Sequence, residues 1–106
     1  MISKRSGSHM SDKQMAHAAV NNNLLHFNFS FGVIISGYLS GMDSFHWMII
    51  TKDGGTLLIH KSRVDFVEIT DSKLANEDAD IIEKVTKVAE PFWKFCERVF
   101  FGKTEE

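Results

Sequence analysis

From Leu24 onward the chain alternates between apolar and polar positions. Leu25, Phe27, Phe29 and Phe31 are interleaved with His26, Asn28 and Ser30, a period of two that predicts a strand with one buried face. Gly32 interrupts the run. Residues 33–39 predict a second strand, leading into a stretch with Gly37 and Gly41 inside it. Glycine within a strand marks a bulge or a sharp bend, which a small barrel needs in order to close. Residues 44–51, rich in aromatic and β-branched side chains, predict a third strand. Lys52-Asp53-Gly54-Gly55 then suits a hairpin turn, because its glycines allow positive φ. Residues 56–60 predict a fourth strand, Lys61 and Ser62 a tight connection, and residues 63–69 a fifth. In the fifth, Val64, Phe66 and Glu68 are expected on one face and Asp65, Val67 and Ile69 on the other. Two apolar faces imply one against the core and one at an interface. Five short strands spaced about ten residues apart read as a strongly bent small barrel.

Helical periodicity brackets this β region. Over residues 11–23, Ser11 or Asp12 can cap a short helix whose buried stripe would be Met15, Ala18, Ala19 and Val20. Asn21-Asn22-Asn23 would end it, since asparagine competes for nearby backbone groups and tolerates turn geometry. Residues 71–75 read as a linker. Beyond it Ile81, Ile82, Val85, Val88, Ala89, Phe92, Phe95 or Cys96, and Val99 recur at steps of three and four. Pro91 falls inside that pattern and either kinks one helix or starts a second at its first turn. Gly102 is a natural stop. The aromatic cluster Phe92, Trp93, Phe95, Phe100 and Phe101 is too apolar for a solvated helix, and is expected to cover the barrel, a neighbouring subunit or a partner.

Gly7-Ser8-His9-Met10 has the form of an expression-vector scar, so residues 1–9 are expected to be a tag remnant outside the fold. The division expected is 1–9 tag, 10–70 β domain and 71–106 C-terminal helical extension. Setting aside Lys4 and Arg5 leaves ten basic residues against fourteen acidic. Residues 24–69 are near neutral, with Lys52, Lys61 and Arg63 facing Asp43, Asp53, Asp65 and Glu68. No strongly basic patch exists, which argues against tight nonspecific duplex binding and leaves room for a narrow local site. Cys96, the single cysteine, allows neither an intrachain disulfide nor a zinc knuckle. His17, His26, His46 and His60 show no helical pair spacing, and only His46 and His60 fall on strands expected side by side. No metal, cofactor or catalytic role is expected from these spacings. With neither a secretory signal nor an apolar run of membrane-spanning length, a cytoplasmic protein is expected.

The stretch Gly32-Val33-Ile34-Ile35-Ser36-Gly37-Tyr38-Leu39-Ser40-Gly41-Met42-Asp43-Ser44-Phe45 resembles the first motif of the Sm-like family. There a glycine-bent second strand leads to an aspartate, one spacer and an aromatic; here these are Gly37, Asp43, Ser44 and Phe45. Ile59-His60-Lys61-Ser62-Arg63-Val64-Asp65-Phe66-Val67 is similar to the second motif, and Lys61 stands where the bacterial, Hfq-type branch has a lysine. The resemblance covers roughly residues 12–70. The chain departs from the eukaryotic and archaeal pattern at Trp47, where asparagine is usual, and at His60-Lys61, where that pattern has Arg-Gly. It departs from the Hfq type at Ser62, where histidine is usual, and in lacking that branch's arginines at the end of its helix.

The resemblance implies a mainly β fold: a strongly bent five-stranded barrel with an N-terminal helix and, here, a C-terminal helical extension. It implies a homo-oligomeric ring of about five to seven subunits, the fourth strand of one pairing with the fifth of the next, so that edge strands are consumed. Single-stranded RNA, or DNA, would bind at the central pore. Phe45 would stack on a base, Ser44 would bond a base edge, Lys61 would meet phosphates, and His60 and Ser62 would donate to base or backbone. Asp43 would order the loop by accepting backbone hydrogen bonds. Two bland readings stand beside these, Phe45 as core and Lys61 as a solvated turn residue. Two functions follow: an RNA chaperone or processing scaffold, or a ring-forming scaffold without nucleic-acid binding that holds a protein partner at its C-terminal helix.

Overall fold

Ser11 closes the N-terminal helix α1 (Asp12–Val20) with a reciprocal cap in the computed structural model, which describes residues 11–70 and 79–102. Gln14 N donates to Ser11 Oγ at 3.1 Å, and Ser11 N donates to Gln14 Oε1 at 2.9 Å, satisfying two donors the helix itself cannot. Asn21 caps the other end and Asn22 takes a left-handed φ of 57°, a conformation asparagine tolerates better than most residues. Met15, Ala16, Ala18 and Ala19 are buried, while Val20 is only half-buried. Ala16 replaces Val20 in the expected stripe because α1 packs on the sheet with one side and on the C-terminal helix with another. The tag-like segment and the linker at 71–75 lie outside the described residues.

Five antiparallel strands follow: β1 (Leu24–Phe29), β2 (Ile34–Met42), β3 (His46–Thr51), β4 (Thr56–His60) and β5 (Val64–Thr70), in the order β4-β3-β2-β1-β5. A 3-10 turn of three residues, Lys61–Arg63, joins the two outer strands. Laid flat, five strands would separate those edges by about 19 Å, whereas three residues of 3-10 helix rise only about 6 Å. The sheet must therefore curl until its edges meet at one end. Accordingly, Ile59 of β4 and Val64 of β5 share one core with Met15, Leu25, Phe27, Leu39, Trp47 and Ile49. Burying side chains of this size contributes about 1.5–3 kcal/mol each.

Two irregularities accommodate the curl. The β2–β3 register shifts between Leu39 and Gly41, and the β1–β5 register between Asn28 and Phe29. The second leaves Asp65 unpaired, with Val64 opposite Phe29 and Phe66 opposite Asn28. It overturns the expected alternation in the fifth strand: Val64 and Val67 pack on the core together, and Phe66 pairs on the other face. The alternation expected in the first strand also stops early. β1 ends at Phe29, the chain turns through Gly32 (φ 94°), and Phe31 is left 66% exposed against the Phe29 ring.

The C-terminal helix α2 (Ala79–Phe100) runs unbroken through Pro91, which settles the two readings of that proline in favour of one helix. The missing N–H leaves the Lys87 carbonyl without its helical donor, on an exposed stretch where water can supply one. Val85 and Ala89 pack on Tyr38 and Ile50, and Phe92 and Trp93 reach the main core. Cys96 is buried, which pushes its thiol up to about 11 and keeps it a neutral hydrophobe. Val88 and Val99, expected in the buried stripe, are exposed, and of the alternatives Phe95 and Cys96 it is Cys96 that is buried while Phe95 is exposed. The apolar arc of α2 is wider than the surface that α1 and β2 offer it. No helix among the described residues is long and apolar enough to cross a membrane.

Gly37 shows how tight the curl is. A Cβ there would stand 2.7 Å from the Ile50 carbonyl oxygen, whereas at Gly41 the nearest atom would be Met48 Cβ at 3.7 Å. Gly37→Ala is expected to destabilise the fold by about 1–3 kcal/mol. Gly41→Ala is expected to change it by about 0.5 kcal/mol or less. Urea denaturation midpoints of the two variants check the contrast.

Candidate nucleic-acid interface

Antiparallel pairing of β3 with β4, which sets His46 opposite His60, brings the β2–β3 loop and the Lys61–Arg63 turn side by side. Lys61 N donates to the Phe45 carbonyl at 2.8 Å, tying the two together through backbone. Asp43 organises the first loop as an Asx turn. Its Oδ1 accepts from Phe45 N at 2.8 Å, His46 N at 2.7 Å and His46 Nδ1 at 3.2 Å, while Asp43 N donates to the His46 carbonyl. The Phe45 and His46 amides, the strongest influences, hold the Asp43 carboxyl below its ordinary 3.8.

Phe45 precedes β3 and projects from the loop, 64% exposed, while Trp47 two residues on is 1% exposed. Phe45 is not core. Its ring lies 6.4 Å from His60 at 30°, and His60 meets His46 edge-on at 5.0 Å. Ser44 is exposed beside Phe45. His60 Nδ1 accepts from Ser62 N at 3.2 Å and lies 2.8 Å from Ser62 Oγ, a local cap of the 3-10 turn. An accepting Nδ1 puts the ring proton on Nε2, so the exposed imidazole can offer an N–H to a ligand.

Lys61 is not a solvated turn residue. Its Nζ pairs with Asp12 Oδ1 at 3.1 Å, lies 5.7 Å above the Trp47 ring, and leaves the side chain 17% exposed. Asp12 thus joins the site from α1. Sequence reasoning saw it only as a helix cap, and a partner 49 residues away leaves no spacing signal. His46 also enters, through Asp43 and His60. Among the described residues, no group of three or more His, Cys, Asp or Glu side chains could hold a metal ion. The assembly offers a flat aromatic face, hydrogen-bond donors and one partly neutralised cation on a loop pair fixed by backbone bonds. Chemically, that combination stacks and hydrogen-bonds a planar ligand.

No family model matches the chain, and no curated protein matches it in sequence. Solved structures do. A crystal structure of the pleiotropic translational regulator Hfq matches with a TM-score of 0.50 and 20% identity, over 53% of this chain and 92% of Hfq. The N-terminal helix and the five antiparallel strands are what fit. The fold is Sm-like. At this identity the likeness concerns the Sm-like fold alone, and the match spans about half of this chain but nearly all of Hfq.

Asp43→Ala removes the carboxylate that accepts from the Phe45 and His46 amides in the Sm-like domain's β2–β3 loop, leaving only the backbone bond to the His46 carbonyl. Hydrogen exchange at the Phe45 and His46 amides is expected to accelerate while β1 and β2 amides stay protected. Because the folded-state pKa of Asp43 is depressed, the stability its carboxylate lends is fully present above 3.8. It is lost as pH falls through the lowered value. The parent loop is therefore expected to loosen only below that range, with the same two amides reporting it.

Proposed function

We propose that the protein forms a homo-oligomeric ring of about five to seven copies and binds single-stranded RNA, or DNA, at the inner rim, as an RNA chaperone or processing scaffold. The observation that carries this reading is the Phe45 ring, held out of the core at 64% exposure by hydrogen bonds behind it. A large aromatic on a rigid loop is an unfavourable thing to leave in water. It suits base stacking, worth about 1–3 kcal/mol per base and tolerant of sequence. Ser44 would bond a base edge, His60 and Ser62 would donate to base or backbone, and Lys61 would turn from Asp12 toward a phosphate. Hfq's description as a translational regulator is consistent with such a ligand.

Support for the ring lies at the sheet's two edges. Leu57 and Leu58 on β4 and Ile69 on β5 are exposed, on strands that have no paired neighbour on one side among the described residues. Such edges invite pairing with another chain. Joining β4 of one copy to β5 of the next would use both edges and repeat the Phe45 and Lys61 sites around an annulus, where weak contacts add.

Light scattering at micromolar concentration is expected to give a mass several times the 12.0 kDa of one chain; a mass near one chain overturns the ring. Titration with labelled oligo-U and oligo-A at two salt concentrations tests the ligand. Phe45→Ala is expected to weaken binding by about 1–3 kcal/mol per engaged base with little change in salt slope. Lys61→Ala is expected to lower that slope by about one unit per engaged subunit. Parental binding in both variants would place the ligand elsewhere.

A further inference from the structure

Beyond the Sm-like domain, α2 carries a second apolar seam that the barrel does not use. Ile81, Val85, Val88, Phe92, Phe95 and Val99 follow steps of four, three, four, three and four, the spacing of a coiled-coil seam. The barrel takes Val85 and part of Phe92, but Val88, Phe95 and Val99 remain exposed. These three extend over about 16 Å of helix at 1.5 Å per residue.

Charge on either side of the seam selects what can cover it. In heptad terms, with Val88 and Phe95 at d and Phe92 and Val99 at a, one flank falls on Ala89 and Cys96, both buried against the barrel. The other flank holds Lys84 and Arg98, with Lys87 and Lys94 one row beyond, and no acid between them and the seam. Lys84 donates to the Gly54 carbonyl. Among the described residues, Lys87, Lys94 and Arg98 have no ion-pair partner. Glu83, Glu90 and Glu97 occupy a row on the far side of these cations.

A second copy of α2 is a poor occupant. Antiparallel, it would set Lys84 against Arg98; parallel, it would set them against positions covered by the barrel. A membrane needs a broad apolar face, and this one is a narrow stripe of three side chains. We propose that the exposed face of α2 docks an amphipathic helix of a partner protein whose apolar heptad seam is flanked by aspartate or glutamate. The partner's apolar positions cover Val88, Phe95 and Val99, and its acids face Arg98, Lys94 and Lys87. This docking depends on the Sm-like fold and α2, not on nucleic-acid binding.

The full chain can be titrated with a labelled peptide of about three heptads, leucine in the seam and glutamate on both flanks. Comparison probes are a scrambled peptide of the same composition, a lysine-flanked analogue, and phosphatidylserine–phosphatidylcholine vesicles. Only the ordered acidic peptide is expected to bind appreciably. Val88→Ser/Phe95→Ser/Val99→Ser, exposed positions whose change should leave circular dichroism intact, is expected to weaken it about tenfold or more. Lys87→Glu/Lys94→Glu/Arg98→Glu is expected to lose the acidic peptide and gain the lysine-flanked one. Equal binding of the scrambled peptide, preference for vesicles, or no peptide binding overturns the proposal. So does a fall in the parent's light-scattering mass on the serine substitutions, which would make the seam a self-contact. Oligonucleotide titration of the same variants separates this result from the RNA reading, since neither set touches Phe45 or Lys61.

Discussion

Three residues, Lys61–Arg63, span the gap between the outermost strands, and nearly every other feature of the β domain answers to that short tether. It forces the sheet to curl, and curling forces backbones together, so Gly37 sits where a methyl group would strike the Ile50 carbonyl. The register shifts near Ser40 and Asp65 absorb the bending that regular pleats cannot. Both edge strands then contribute to a single core around Phe27 and Trp47. A longer loop between β4 and β5 would relax all of these demands at once.

The same tether begins at the candidate site, where β3–β4 pairing sets His46 opposite His60. Because Lys61 opens the short turn, its amide reaches the Phe45 carbonyl, and its side chain lies over Trp47 toward Asp12. Three chain segments, α1, the Asp43 loop and the β4–β5 turn, thus converge without any one of them being long. The site's polarity is modest: one ammonium is opposed by a carboxylate at 3.1 Å, so attraction of a polyanion rests on replacing an internal partner rather than on surplus charge. Stacking and donor geometry carry proportionately more of the recognition that is proposed.

Much of this was legible in the chain because strand alternation and turn glycines are local signals. Leu25 and Phe27, the Gly54 turn and the asparagine stop after α1 all follow from neighbours in sequence. Phe31 and Phe66 misled because a turn and a bulge each change the face on which later side chains fall: Gly32 marks the turn but not that it begins before Phe31, and the bulge at Asp65 leaves no mark. Val88 and Val99 misled for a different reason: periodicity reports that a helix is apolar, not how much surface waits to receive it. Asp12 was invisible as a site residue because nothing local links it to Lys61.

The two tryptophans occupy contrasting places: Trp47 in the core beneath the Lys61 ammonium, Trp93 where α2 meets the barrel. Indole emission responds to a nearby positive charge, so drawing Lys61 toward a ligand alters the light from one ring and leaves the other as an internal reference. Single-tryptophan versions of the chain would therefore separate events at the loop from events at the helix. The molecule carries its own pair of optical labels, one for each surface on which a partner has been proposed.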